Sequence, residues 1–232
     1  MDGRSQYVHF NFGGFMYQEG NTVARQNMTK KGLVQPSLLV HDWQAFYRET
    51  FGIDTISERD ELPIVTSPSQ PLLHLFVPKA LTELTHPAYD EVLKVCRKMF
   101  PVQFSGDTLD RTIAFESEVR NPARSTYSIF IDGGIAPGVQ IFESVESLLG
   151  SVGYPTLLER LLLELWYFTQ YGKHLDELEG THTLCLGTRS RGGHIPYVSW
   201  KNNHLVIHFL PFAQLSRRQH LYSREATSTF VE

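Results

Sequence analysis

Apolar and polar residues along this chain change their spacing several times, and each change marks an element. GYPTLLERLLLELWYFTQYG, residues 153–172, sets Leu157, Leu158, Leu161, Leu162, Leu165, Trp166 and Phe168 at helical intervals. Thr156 and Glu159 stand at capping-box spacing before that run and Gly172 follows it, so the stretch predicts the main core helix. A second helix is predicted from a Ser37 cap to Gly52, with Leu38, Leu39, Trp43, Phe46, Tyr47 and Phe51 on a large aromatic face. A third lies in THPAYDEVLKVCRKMFP. There Pro87, Asp90 and Glu91 come early and Lys94, Arg97, Lys98 and Pro101 late, around a stripe of Tyr89, Val92, Val95, Cys96, Met99 and Phe100.

Elsewhere the period is two. YVHFNF and FMYQEG flank Gly13-Gly14 and predict an opening β-hairpin; the polar stretch after it, with Arg25, Lys30 and Lys31, reads as a connection. Pro63, Pro68 and Pro71 keep residues 53–71 out of helices and central strands, and LLHLFV, 72–77, reads as a strand. RTIAFESEVR and STYSIFID alternate around Asn121-Pro122-Ala123-Arg124, which predicts a second hairpin. GGIAPG, 133–138, is a loop. THTLCLGTR, HIPYVSW and HLVIHFLP predict three strands, with Lys201-Asn202-Asn203 joining the last two. Short connections favour an α+β fold: antiparallel hairpins and a C-terminal three-strand meander packed against two or three amphipathic helices. The 232 residues read as a single globular domain, with 101–110 the one weak place for a boundary.

Composition narrows the function. The chain is 41% apolar and 12% aromatic, ample for a packed core. Its net charge of -4 gives no overall positive field to collect nucleic acid or an anionic membrane, so both are disfavoured as partners unless a local patch exists. No apolar run approaches the ~18 residues of a membrane span, and MDGRSQYVHFNFGG lacks the pattern of an export signal. Cys96 and Cys185 sit in apolar periodic segments and read as buried reduced thiols, so the expected setting is cytoplasmic. Without export, the acceptor triplet Asn27-Met28-Thr29 has no consequence.

The chain has no P-loop, dinucleotide fingerprint, nucleophile elbow, zinc-protease helix or C-x-x-C. Gly133, Gly134 and Gly138 resemble a phosphate loop in composition only, because VQIFES after them does not open a helix. Six histidines lie late in the chain: His174, His182, His194, His204, His208 and His220. On a strand His204 and His208 stand roughly 13 Å apart, so a metal set would have to draw on His182, His194 and His208 from neighbouring strands; no metal or other cofactor is expected. Glu116 and Glu118 on a strand would share one side about 7 Å apart, most simply a solvated row continued by Arg120. Asp132 reads as a turn former.

GTRSRGGH, residues 187–194, is the strongest candidate. Extended backbone puts Arg189 and Arg191 on one face and Thr188 and Ser190 on the other, and Gly192-Gly193 permit an amide nest. Arg189, Ser190, Arg191, Gly192, Gly193 and His194 then form a candidate anion site, set against the plainer reading of a hairpin turn. The leading expectation is a non-catalytic binding or interaction protein, whose partner is an unknown protein or a small anionic ligand and which self-association would also suit. The alternative is an enzyme on a phosphorylated or anionic substrate, with Arg189 and Arg191 binding and His194 or His182 as acid or base. Nucleic-acid binding through this tip and Arg217-Arg218 is the weaker third reading.

Overall fold

The computed structural model describes residues 33–34, 36–56, 65–66, 73–84, 88–106, 108–134, 136–141, 153–215 and 220–228. The expected opening hairpin, the cluster Arg25, Lys30 and Lys31, and Arg217-Arg218 lie outside the described residues. In chain order the elements are β1 (Leu33–Val34), α1 (Pro36–Phe51), β2 (Val65–Thr66), β3 (Leu73–Val77), α2 (Leu81–Leu84), α3 (Tyr89–Met99), β4 (Val102–Phe104) and α4 (Leu109–Thr112). A 3-10 turn (Phe115–Ser117) leads to β5 (Tyr127–Ile131), β6 (Gly138–Ile141), α5 (Leu157–Tyr171), β7 (Thr183–Leu184), β8 (Ile195–Lys201) and β9 (His204–Leu210). After these come α6 (Phe212–Leu215), β10 (His220–Ser223) and β11 (Ala226–Ser228).

The fold is α+β. One sheet has the order β4-β9-β8-β7 and another β11-β5-β3; β1 with β2 and β10 with β6 form short ribbons. Asn202 and Asn203, with φ of 51° and 61°, make the two-residue turn that pairs Lys201 with His204. The three expected C-terminal strands pair antiparallel as the meander requires. A fourth strand joins them: β4 runs parallel to β9, with the amide of Leu205 donating to the carbonyl of Pro101 at 2.9 Å. The segment that reads as a weak boundary thus contributes to the central sheet. Three residues are too short a strand to announce themselves by period.

Helix α5 is the element around which the core closes. It begins with Thr156 and Glu159 in a complete capping box and stops at Gly172, whose φ of 61° is the left-handed cap a glycine accepts without strain. Every residue from Leu157 to Trp166 is buried. Leu162 is fully enclosed, so this leucine-rich face is not a surface for self-association. Helix α1 ends where Gly52 predicts, at a φ of 71°. Its aromatic face acts as a brace: Trp43 stacks on Trp166 and donates Nε1–H to the carbonyl of His74 at 2.6 Å, and Tyr47 donates to the carbonyl of Phe76 at 2.7 Å. In α3, Tyr89, Val92, Val95 and Cys96 are buried as the stripe predicts.

The main core runs from Trp43 to Ala226 and includes Val198, Leu205 and Ile207 from the sheet face toward the helices. Leu184, Leu186, Ile195 and Leu215 form a second, smaller cluster on the other side. Among the described residues no helix is long and apolar enough to cross a membrane.

The second hairpin does not form. Residues 109–117 make α4 and the 3-10 turn instead, with Thr108 capping α4 by accepting from the amide of Arg111 at 3.2 Å. The Asn121–Arg124 turn is present, with Arg124 donating to the carbonyl of Asn121 at 3.0 Å. Strand β5, however, pairs with β3 and β11. All five residues of YSIFI are buried, and with β3 on one edge and β11 on the other no edge of β5 is left for the segment before it.

His74 carries a stability consequence. It is buried on β3 beside Phe130, and neither ring nitrogen has a hydrogen-bond partner among the described residues. Burial lowers its pKa from 6.5 to about 4. Between those values the unfolded chain holds a proton that the folded chain refuses, so stability is lost as pH falls from 6.5 toward 4, by about 3 kcal/mol for this group. Urea unfolding at neutral pH and near the lower end of that window should show His74→Leu losing about 2–3 kcal/mol less than the parent. Equal losses in both proteins would mean that His74 does not set the acid sensitivity.

Candidate functional site

The stretch from Gly187 to His194 folds as a hairpin with a three-residue tip. Ser190 donates to the carbonyl of His194 at 2.9 Å, Gly193 donates back to that of Ser190 at 2.9 Å, and Gly193 has a φ of 76°. That is a tight turn followed by a left-handed residue, which is why a glycine occupies the position. The hairpin is riveted along one edge: Ser190 bridges Ile113, Arg191 donates to the carbonyl of Thr112 at 2.8 Å, and Ala114 donates to that of Arg189 at 2.9 Å.

Alternation then sorts the side chains as expected. Thr188 and Ser190 are buried, while Arg189 is half-buried and Arg191 exposed. Gly192 and Gly193 are exposed and His194 is half-buried. The amides do not form the expected nest, because those of Arg191 and Gly193 are donated to backbone carbonyls and that of His194 to Ser190 Oγ at 2.9 Å. Any attraction for an anion therefore falls to the guanidinium groups. Arg191 lies 3.4 Å from Glu116, with the two side chains 57% and 67% exposed, so the pair contributes little to stability. Arg124 is exposed beside them and donates to the carbonyl of Glu116 at 3.1 Å.

Beneath the tip, the root of the hairpin is bound to the N-terminus of α5. Gly187 donates to the carbonyl of Pro155 at 3.0 Å and accepts from Val119 at 3.2 Å. A Cβ on Gly187 would lie 2.9 Å from Val119 Cγ2 and 3.1 Å from both the Pro155 oxygen and the Thr156 nitrogen. The first amides of α5 have no partner within the helix, and hydroxyls meet them: Leu157 donates to Thr188 Oγ1 at 2.9 Å and Leu158 to Tyr89 Oη at 3.2 Å. Both hydroxyls in turn donate to one oxygen, Glu118 Oε1.

Glu118 is 3% exposed, the opposite of the solvated row its sequence suggests, while Glu116 remains at the surface. Residues 115–117 form a 3-10 turn, so the period of two that would put both carboxylates on one side does not hold. Burial pushes the Glu118 carboxyl up to about 8 against the two hydroxyl hydrogen bonds, and pushes the Tyr89 hydroxyl well above its ordinary value. Arg120, expected in the same solvated row, is also buried. It clamps Glu159 at 2.7 and 2.9 Å while donating to the carbonyl of Tyr154 at 2.7 Å.

A second buried ionic group lies further along α5. Arg160 reaches Glu164 at 2.8 Å and Asp176 at 2.9 Å, and Arg224 reaches the other oxygen of Asp176 at 2.6 Å. Thr183 donates to Asp176 at 2.8 Å and His174 Nδ1 lies 2.8 Å from Glu164. Burial alone would raise the Asp176 carboxyl, but Arg160 and Arg224 outweigh it and hold the group below the usual carboxylate range. Arg224 also donates to the carbonyls of Asp132 and Gly134 at 3.0 and 2.6 Å, so Asp132 lies at a bend tied by its backbone. The spacing of residues along the chain does not reveal this group. Its one signal is the pair Arg160 and Glu164, four apart inside a leucine-rich helix.

Among the described residues the histidines do not gather into a metal-holding group. His182 packs against Tyr197 and Tyr222, and His208 stacks on the far side of the same Tyr197, at 5.4, 5.2 and 5.3 Å between ring centres. Among the described residues no group of three or more His, Cys, Asp or Glu could hold a metal ion. Cys96 and Cys185 are buried and unpaired, as expected, and burial raises both thiols. Compared with known proteins, the chain matches no family model, no curated protein and no solved structure.

Two substitutions test these contacts. Asp176→Ala leaves Arg160 and Arg224 facing each other in the interior, and should cost about 3–5 kcal/mol in urea unfolding. Gly187→Ala forces a methyl group against backbone atoms and should cost about 1–3 kcal/mol. A change below about 0.5 kcal/mol, the range of ordinary surface substitutions, would contradict the buried ionic group in the first case and the close backbone approach in the second.

Proposed function

We propose that this chain is a non-catalytic binding protein whose ligand-facing element is the hairpin tip, with Arg189 and Arg191 as contacts for an anionic group. The observation that carries the reading is the contrast between the two faces of the hairpin. Its inner residues are fixed in the core, while Arg191 stands exposed beside the Glu116 carboxylate and the exposed Arg124 bonds that residue's backbone carbonyl, in a chain of net charge -4. A guanidinium offers a planar fork of donors suited to phosphate or carboxylate, and a surface pair with Glu116 is weak enough to be displaced. The buried ion pairs around α5, by contrast, are engaged with one another as structural supports. For the enzyme reading, His194 lies half-buried on the hairpin, whereas His182 packs against Tyr197 and Tyr222. A cytoplasmic setting goes with the proposal, supported by two buried thiols left unpaired.

A panel of inorganic phosphate, polyphosphate, nucleotides and sugar phosphates, screened by thermal shift, tests the proposal. An anion at 100 times its Kd should add about 2.7 kcal/mol of stability. The double change Arg189→Ala with Arg191→Ala should abolish that gain and leave the unliganded melting temperature nearly unchanged. A shift that survives the double change moves the site elsewhere, and no shift with any anion ends the proposal.

A further inference from the structure

We propose that Glu118 is a pH-sensitive latch, which when neutral holds the root of the arginine hairpin against the N-terminus of α5 and when ionised lets it go. Three elements meet at this carboxyl. Tyr89 comes from α3 and Thr188 from the hairpin root, both hydroxyls donate to Oε1, and both hydroxyl oxygens accept the leading amides of α5. The other carboxyl oxygen, Oε2, is buried without a hydrogen-bond partner among the described residues. A protonated Oε2 costs only the desolvation of a hydroxyl, whereas an ionised carboxylate leaves part of a full charge there with no donor to meet it.

The surroundings offer the anion little. Facing it are Tyr89 from α3, Glu159 from α5, Tyr127 from β5, Cys185 and Thr188 from the irregular segment that enters the hairpin, and Arg120 from its own segment. Arg120 is already committed to both oxygens of Glu159, which itself repels a second negative charge. The folded state therefore holds a proton between 4.5 and about 8 that the unfolded state gives up, and stability falls as pH rises through that window.

Relief of the buried charge requires one of the three elements to move. Tyr89 and α5 belong to the main core, whereas the hairpin root is an irregular segment held by single backbone bonds at Pro155, Val119, Ala114 and Thr112. Thr188 is thus the partner that yields, and Arg189 and Arg191 move with it. As a control over anion binding the latch rests on the preceding proposal; as a motion of the hairpin it does not.

Hydrogen exchange on the full chain, without ligand and corrected for the intrinsic pH dependence of amide exchange, reads the latch directly. Between about pH 6 and about pH 9, the amides of Leu157, Gly187 and Arg191 should lose roughly tenfold or more of their protection, and Glu118→Gln, permanently neutral and nearly isosteric, should keep it. Protection that stays constant in the parent, or that falls equally in the Gln variant, overturns the latch. If the Gln variant does not fold, carbon-13 carboxyl titration of the unmodified protein decides. A midpoint for Glu118 near 8 with matching shifts at Thr188 supports the latch, and a midpoint in the ordinary range of about 4.3 refutes it. Opening without any anion-induced thermal shift would sink the binding proposal and leave the latch standing.

Discussion

A helix buried on every side from Leu157 to Trp166 cannot leave its leading amides or its charged side chains to water, and this requirement on α5 organises the rest of the molecule. Leu157 and Leu158 need acceptors inside the protein, and Thr188 and Tyr89 supply them. Those hydroxyls need an acceptor of their own, which brings Glu118 inward and with it the irregular segment from α4 to β5. That segment in turn supplies the backbone edge on which the arginine hairpin is riveted. The hairpin owes its position to the first turn of α5, two connections away.

The charged residues of α5 impose the same kind of demand. Glu159, Arg160 and Glu164 are buried with the leucines, and each must be matched, because an unpaired charge in the interior costs several kcal/mol. Arg120 answers Glu159, Asp176 answers Arg160, Arg160 and His174 answer Glu164, and Arg224 takes the other oxygen of Asp176. Arg224 extends the network to the bend after β5, so one ionic group ties α5, β5 and the segment between β10 and β11. Such pairs add less to stability than apolar packing of equal volume would, but they tolerate few alternative arrangements. Their effect is to fix which segments meet around the helix.

Much of this architecture is legible in the sequence because local signals and the final fold agree. The capping box, Gly172, Gly52, the stripe of α3 and the three late strands are readable at the scale of a few residues, and the structure has them as read. What escapes is set by partners distant in sequence. RTIAFESEVR has the period of a strand, yet its alternation reflects burial of Ile113, Phe115 and Glu118 under the hairpin and α5, about 40 to 75 residues away in the chain. Glu116 and Glu118 look alike on paper and differ in the structure because a 3-10 turn lies between one environment and the other. Strand β4 is invisible for a simpler reason, being only three residues long.

The same division explains how a short string of small and basic residues serves two purposes. In the segment from Gly187 to Arg191, alternate positions differ in exposure. Gly187 allows the backbone to press against Pro155 and Thr156, and Thr188 and Ser190 spend their hydroxyls inside, on Glu118 and on the amide of His194. Those inner residues are defined by what they must fit, and a methyl group added at Gly187 has no room. The outer residues, Arg189 and Arg191, meet no such requirement: their backbone is held by Ala114 and Thr112 whatever their side chains do. A backbone fixed by its neighbours, with Arg191 left to solvent and Arg189 half-buried, positions charge at small entropic cost. The anion-binding chemistry proposed for the tip therefore depends on polar bonds that no anion touches, and the first of these is the bond from Leu157 to Thr188.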